Sequence, residues 1–177
     1  MKTDVIIVGA GPTGMALACQ FIRYGIDFVI VDKNEKITPY SKAIGVQART
    51  LEIYEQIGLA NSLISQGTLA EKVRLAEGGE VRGEVALTNI GEGMSPYPFL
   101  LLVEQSMHEH LLEDFIKSNG KQILWNTELE SFTQDESGVK ALIKTADGSQ
   151  ETLEAKFLVG CDGAKSPVRQ KILRLLI

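Results

Sequence analysis

"DVIIVGAGPTGMALACQFIRYGIDFVIVD" occupies residues 4 to 32. After Asp4, Val5 to Val8 form a continuous β-branched apolar run, the pattern of a strand covered on both faces. Gly9, Gly11 and Gly14 follow. Residues 13 to 25 then read as a helix, with Leu17 and Phe21 four apart and Gly25 to end it. "IDFVIVD", 26 to 32, is a second buried strand. Strand, helix and strand over so short a span predict a βαβ unit, a parallel pair joined by a right-handed crossover. The expected fold class is therefore α/β with a Rossmann-like parallel sheet.

The glycines ask for an explanation, because a chain gives up side chains only where something needs the room. A pyrophosphate is such a thing. Its charge is best met by the unpaired N–H groups and positive dipole end of a helix N-terminus. Gly9 permits the tight turn, Gly11 lets phosphate reach the backbone, and Gly14 lets the helix lie against the strand. Pro12 and Thr13 complete the loop, and Ala18 keeps the same helix face small. Asp32, at the end of the second strand, is placed to accept from ribose hydroxyls and to repel a 2′-phosphate. Three glycines alone would also suit a plain turn with no ligand. The ordered set of strand, glycines, helix, strand and acid points to a dinucleotide, and leaves FAD and NAD both open.

Composition narrows the classes. The chain has 177 residues, 44% of them hydrophobic and 23% charged, which suits one soluble domain with its own core. A net charge of -5 without a basic run argues against a nucleic-acid partner. No apolar run approaches the ~20 residues of a membrane span, and Asp4 and Pro12 interrupt any leader-like reading of the first residues. Two cysteines, Cys19 and Cys161, make neither a disulfide framework nor a metal set. A reducing, cytoplasmic setting is expected.

Beyond residue 32 the βα alternation breaks. Residues 47 to 58 read as a helix, 72 to 87 as a hairpin about Gly78-Gly79, and 104 to 120 as a helix ending Asn119-Gly120. "IGEGMSPYPF", 90 to 99, reads as a surface loop. "QILWN", 122 to 126, reads as a strand. Segments 128–134, 139–146 and 149–156 are joined by "DESG" and "DG", which predicts a three-stranded antiparallel meander. "AKFLVGCDG", 155 to 163, returns to a buried strand and a turn, and a last helix over 165–177 takes Ser166 as cap and Pro167 at its first position.

Four stretches together resemble the flavoprotein aromatic hydroxylases, the FAD-dependent monooxygenases of the p-hydroxybenzoate hydroxylase fold. They are "DVIIVGAGPTG" with "FVIVDK", "SKAIGVQARTLEIYEQIGL", "LVEQSMHEHLLE" and "FLVGCDGAKSPVR". The resemblance covers about residues 3 to 170 and implies one FAD-binding domain over 1–177, the N-terminal portion of such an enzyme, with 69–103 beginning a substrate-side sheet. It implies that Gly9, Gly11, Pro12, Thr13 and Gly14 hold the FAD pyrophosphate. Asp32 would bind the adenosine ribose with Lys33 beside it, Arg49 would reach the phosphates, and Gln105 would meet the phosphate-ribityl stretch. Asp162 and Gly163 would face the middle of FAD and the approach of NADPH or NADH, with Arg169 supporting their turn. The implied reaction is hydroxylation of an aromatic or polyketide-like small molecule after NAD(P)H reduces FAD. The family's later Gly-Asp segment, which holds the flavin ring, has no match here. The 177 residues are therefore expected to bind FAD and ADP with similar, modest affinity, to hydroxylate nothing unaided, and to be marginally stable or to pair with another copy through exposed apolar surface. A non-catalytic nucleotide-binding fragment and an NAD-dependent dehydrogenase are the competing readings.

No catalytic acid or base can be named from the sequence. Cys19, Cys161, Trp125 and Phe132 read as core. His108 and His110 are two apart on a helix, face different ways, and read as solvated surface without a metal. Arg49 could instead pair with Glu52 or Glu55 on its own helix.

Overall fold

The computed structural model describes residues 1–39 and 43–175. Ser41 and Lys42 of the second motif, and Leu176 and Ile177 at the end of the last expected helix, lie outside them. In chain order the elements are β1 (Lys2–Val8), α1 (Pro12–Tyr24), β2 (Phe28–Val31), β3 (Ala43–Val46), α2 (Ala48–Glu55), α3 (Ala60–Gln66), β4 (Thr68–Leu69), β5 (Lys72–Glu77) and β6 (Glu80–Ala86). They continue with β7 (Leu101–Glu104), α4 (Gln105–Ser118), β8 (Ile123–Leu124), β9 (Glu128–Asp135), β10 (Gly138–Lys144), β11 (Gln150–Gly160) and α5 (Pro167–Leu175). They group into two compact units, Met1–Thr38 with Leu112–Ile177, and Pro39–Leu111.

The first unit is built on one six-stranded sheet in the order β8-β2-β1-β11-β10-β9. β1 pairs parallel with β2 and with β11, and β2 pairs parallel with β8, so the predicted βαβ unit is present. Gly25 closes α1 in the left-handed region at φ 65°, its amide donating to the Ile22 carbonyl at 3.1 Å. β9, β10 and β11 form the antiparallel meander that the two turns announce.

One detail departs from the sequence reading. The expected third meander strand and the expected buried strand after it are a single strand. Residues 150 to 155 of β11 pair antiparallel with β10, and from Glu154 onward β11 pairs parallel with β1. One apolar cluster joins Ile6, Val8, Val29 and Val31 of the parallel strands to Phe132, Val139, Ala141, Ile143 and Leu153 of the meander, with Val168 of α5. The end of β11 is not fully buried, contrary to expectation. Phe157 is 65% exposed, and with Val5, Phe21, Ile26, Leu158 and Val159 it lines an open apolar groove.

The second unit holds a three-stranded antiparallel sheet, β3-β7-β4, and the hairpin β5-β6. The hairpin turns at Gly78 and Gly79, both in the left-handed region at φ 60° and 85°, as a two-residue turn requires. β3, β4 and β7 are strands of only two to four residues, too short for an alternation pattern, and the sequence reading does not contain them.

Leu153, 1% exposed in the cluster, and Phe157 make opposite predictions. Leu153→Ala should lower the unfolding free energy by about 2–5 kcal/mol. Phe157→Ser should change it by less than about 0.5 kcal/mol in this chain. Denaturant titration of the two variants checks the pair, and a large loss from Phe157→Ser would mean that the groove is filled.

Candidate functional site

The three glycines of the first loop lack side chains for different reasons. Gly9 sits at φ +102°, and a Cβ there would lie 2.4 Å from the Cys161 carbonyl oxygen. A Cβ on Gly14 would lie 1.9 Å from the Gly9 carbonyl oxygen. These two are demanded by the close approach of β1, α1 and the residue after β11. Gly11 is different: a Cβ built there meets nothing within 4 Å. Gly11 is the N-cap of α1, and it supplies no side-chain cap; the first turn holds no acidic residue either. The helix opens with Pro12 in its first turn, where a missing N–H costs nothing. An uncapped helix N-terminus with open space before it is a ready anion site.

Asp32 follows β2 directly and ties the loop down. Its Oδ2 accepts from the Ala10 amide at 2.7 Å and its Oδ1 from the Asn34 amide at 2.8 Å. Its carbonyl accepts from the Thr127 amide, and the Asn34 carbonyl from the Asn126 amide, both at 2.8 Å. Asn126 is the one non-glycine residue at positive φ among the described residues, at 51°. That conformation turns the chain between β8 and β9 and brings Thr127 and Glu128 to the rim.

Asp162 lies two residues beyond β11. Its Oδ2 accepts from the Val168 amide at 3.3 Å, while its Oδ1 is buried without a hydrogen-bond partner. Gly163 sits at φ +80° and its carbonyl accepts from the Ser166 amide at 3.1 Å. Ser166 caps α5 as expected, its Oγ accepting from the Arg169 amide at 2.9 Å. The Arg169 guanidinium donates to the Ala164 carbonyl, which holds the same turn.

One cleft is thus lined by Gly9, Gly11, Asp32, Lys33, Asp162 and Gly163, all singled out in the sequence. Asn34, Thr127, Glu128 and Lys165 line it as well and were not foreseen. The asparagine in "WNT" is the one local signal for part of that wall, since asparagine tolerates a left-handed φ. The cleft lies at the C-terminal ends of the parallel strands, where open α/β sheets take ligands. Exposed Thr13 sits in the first turn of α1.

Arg49 and Gln105 belong to the second unit. Arg49 pairs with Glu52 at 3.0 Å on α2, with its side chain 75% exposed. Gln105, first residue of α4, donates through Nε2 to Glu109 Oε1 at 2.8 Å. His108 is not solvated surface. It is 4% exposed, and its Nε2 lies 2.7 Å from the Tyr54 hydroxyl. The sequence hides this because Tyr54 stands 54 residues away on α2. Burial pushes the His108 imidazole below its ordinary range, so it is held neutral. His110 is exposed and its Nδ1 lies 2.6 Å from the Ser106 carbonyl oxygen. Burial pushes the Cys19 thiol up to about 12, and burial aided by the Asp162 carboxylate raises Cys161, so both stay protonated and unreactive. Phe132 is in the core, whereas Trp125 is half-buried with its indole N–H donating to Glu113 at 3.1 Å. No group of three or more metal-binding side chains occurs among the described residues.

The family model described as FAD binding domain matches residues 2–173. A flavin-dependent monooxygenase of Mycobacteroides abscessus is 36% identical over 174 residues, covering 95% of this chain and 36% of the relative. An uncharacterized aromatic compound monooxygenase of Bacillus subtilis is 34% identical over 171 residues, covering 97% and 33%. Among solved structures, a ternary complex of aklavinone-11 hydroxylase with FAD and aklavinone superposes with a TM-score of 0.86 at 29% identity, covering 96% of this chain and 34% of that one. The chain spans about a third of the length of the curated relatives it matches.

Two contrasts test the site. Gly11→Val should fold with an unchanged melting temperature and lose dinucleotide binding, because the side chain enters the open space before the helix without meeting protein atoms. Gly14→Ala should lower stability by about 1–3 kcal/mol or more, because the new atom meets backbone. Calorimetry with FAD and ADP beside thermal melts separates them, and undiminished binding by Gly11→Val would remove phosphate from the loop.

The buried His108 sets a pH dependence. Its folded-state pKa is lowered, so the unfolded chain takes up the proton more readily. Its contribution is complete above the ordinary histidine pKa of about 6.5 and is lost as pH falls below that value. Stability of the chain should decline on going from about pH 7 to pH 5, and His108→Gln should flatten that part of the profile. Urea midpoints across the range measure it; an unchanged slope in the variant would assign the decline elsewhere.

Proposed function

The chain belongs to the FAD binding domain family, and from that premise we propose that the glycine loop and its cleft hold FAD for an NADPH- or NADH-dependent monooxygenase. The observation that carries the reading is Gly11. It is the loop glycine with no steric reason within the protein to lack a side chain, and it stands at an uncapped helix N-terminus. Phosphate oxygens close to the Gly11, Thr13 and Gly14 backbone explain both facts.

The other residues present fit the same group. Asp32 uses one lone pair of each oxygen on backbone amides. A carboxylate oxygen can accept more than once, so ribose hydroxyls can be added without breaking the loop. Lys33 and Lys165 line the rim and offset the charge of two phosphates and two aspartates. The partnerless Oδ1 of Asp162 asks for a donor, and a hydroxyl of the ribityl chain is one. Arg49 is proposed for the phosphates, since its ion pair with Glu52 is exposed and weak enough to exchange. Gln105 is proposed for the ribityl hydroxyls, and Gly163 for the side from which the nicotinamide arrives.

Bound there, FAD would supply the redox chemistry of hydride acceptance and oxygen activation. This chain's residues bind and orient it: the helix end fixes the phosphates, Asp32 the adenosine end, and Asp162 the middle. Relatives include a pentachlorophenol 4-monooxygenase and a rifampicin monooxygenase, which supports an aromatic substrate for the whole protein. Two unpaired cysteines support a reducing cytoplasm as the setting.

Asp32→Ala should weaken FAD and ADP alike by roughly 10- to 100-fold, since it removes charge-assisted hydrogen bonds of about 1.5–3 kcal/mol. Flavin absorbance retained through gel filtration, and calorimetry with each ligand, provide the measurement. A change below about twofold would overturn the assignment of the adenosine end to Asp32.

A further inference from the structure

We propose that Glu52 occupies Arg49 as an internal stand-in for a ligand phosphate, and that Ser95 is a positioning residue that holds this contact to one exchangeable bond. This rests on the reading that Arg49 takes the phosphates of FAD. Arg49 and Glu52 stand at i and i+3 on α2, and Nη1 of the arginine donates to Oε2 of the glutamate at 3.0 Å. Ser95, in the connection between β6 and β7, donates through Oγ to the other oxygen, Oε1, at 2.8 Å. The Arg49 side chain is 75% exposed against 27% for Glu52, so the carboxylate is the fixed member of the pair and the guanidinium the free one.

The serine is itself held. Its Oγ accepts from the Tyr97 amide at 3.2 Å, and Tyr97 is buried with its ring edge-on to Phe99 at 6.3 Å. The Ser95 amide donates to the Gly91 carbonyl at 3.3 Å, and the Gly91 amide to the Pro98 carbonyl at 3.2 Å, so the connection closes on itself. A hydroxyl has one proton to give, and that of Ser95 goes to Glu52. The bonds from Ser95 and Arg49 hold the Glu52 carboxyl below its ordinary range, so it is ionised at neutral pH.

A guanidinium and a carboxylate that is free to turn favour the two-bond fork, the strongest form of this pair. Here Ser95 turns the carboxylate, with Oε1 toward the loop and Oε2 toward Arg49, and the pair has one hydrogen bond. An exposed ion pair of this kind contributes little to stability. A phosphate offers the same charge with more oxygens and can take the whole fork. Glu52 therefore occupies Arg49 weakly while no ligand is bound, and binding has to break that one bond. Ser95 sets how strong the bond is. Without its hydroxyl the carboxylate is free to fork onto Arg49, and the ligand has two bonds to displace.

Calorimetry with FAD and ADP at low salt, where surface charges are least screened, tests the proposal. Glu52→Gln should bind both ligands about two- to fivefold more tightly, the range that release from one exposed ion pair gives. Ser95→Ala should bind both about two- to threefold more weakly. Ser95→Thr, which keeps the hydroxyl, should bind as the parent chain does. In an Arg49→Ala background neither Glu52→Gln nor Ser95→Ala should change affinity. If Arg49→Ala alone leaves affinity unchanged, the reading that Arg49 takes the phosphates fails, and the proposal with it. If Arg49→Ala weakens binding while Glu52→Gln does not tighten it, that reading stands and the competition by Glu52 is overturned. A gain from Glu52→Gln that survives in the Arg49→Ala background also overturns it, by showing a general effect of removing a negative charge. Ser95→Ala binding as tightly as the parent chain, or more tightly, overturns the role of Ser95.

Discussion

The close approach of main chain at the ends of three parallel strands governs the first unit. The Gly9 amide donates to Val31 of β2 at 2.8 Å, and the Cys161 amide donates to Val8 of β1 at 2.7 Å. Gly9 is pressed so near the Cys161 carbonyl that no Cβ fits, and Gly14 is pressed as near to Gly9. Once those contacts form, α1 has to start just above the strand ends. The next residues of β2 and β11 then deliver Asp32 and Asp162 to the same cleft, though 130 positions separate them. The site follows from topology: any sheet with this strand order sends the residues after its parallel strands to one edge.

Stability alone does not account for a glycine at position 11. A serine or aspartate at that N-cap would donate an acceptor to the first turn and stabilise the free protein by typically ~1 kcal/mol. It would also fill the open space in front of the helix. The helix instead leaves its first amides unserved by any side-chain cap and binds its own start from the other side, through the Asp32 carboxylate on the Ala10 amide. Asp32 therefore acts before any ligand arrives. It fixes the loop that leads into α1.

Much of this was legible in the residues. The βαβ unit, the uncapped glycine loop, Asp32 and the Asp162 turn are each written in fewer than thirty consecutive residues, where local pattern and turn chemistry suffice. The two meander turns were legible for the same reason. What escaped depends on partners far along the chain. Residues 149 to 163 read as two strands because the first half alternates and the second is solidly apolar; only the pairing with β1 shows that one strand does both. Phe157 sits in that apolar run and still faces outward, because burial is a property of what lies opposite and sequence periodicity names no neighbour. Thr127 and Glu128 reach the cleft through Asn126 and its bonds to the 32–34 turn, a contact across more than ninety residues. His108 looked like surface until Tyr54 supplied its partner.

The second unit carries its own evidence that packing is not the whole constraint. α4 buries a histidine and a glutamate within two consecutive positions, 4% and 3% exposed. Leucine at either would pack without the desolvation that buried polar groups bring. Tyr54 contacts His108, and the Gln105 amide donates to Glu109. The first bond joins α2 to α4, and these two helices carry Arg49 and Gln105. A polar pair specifies direction and distance as an apolar contact does not, so the helices are held at one register rather than merely together. The unit gives up some packing energy for that fixed register.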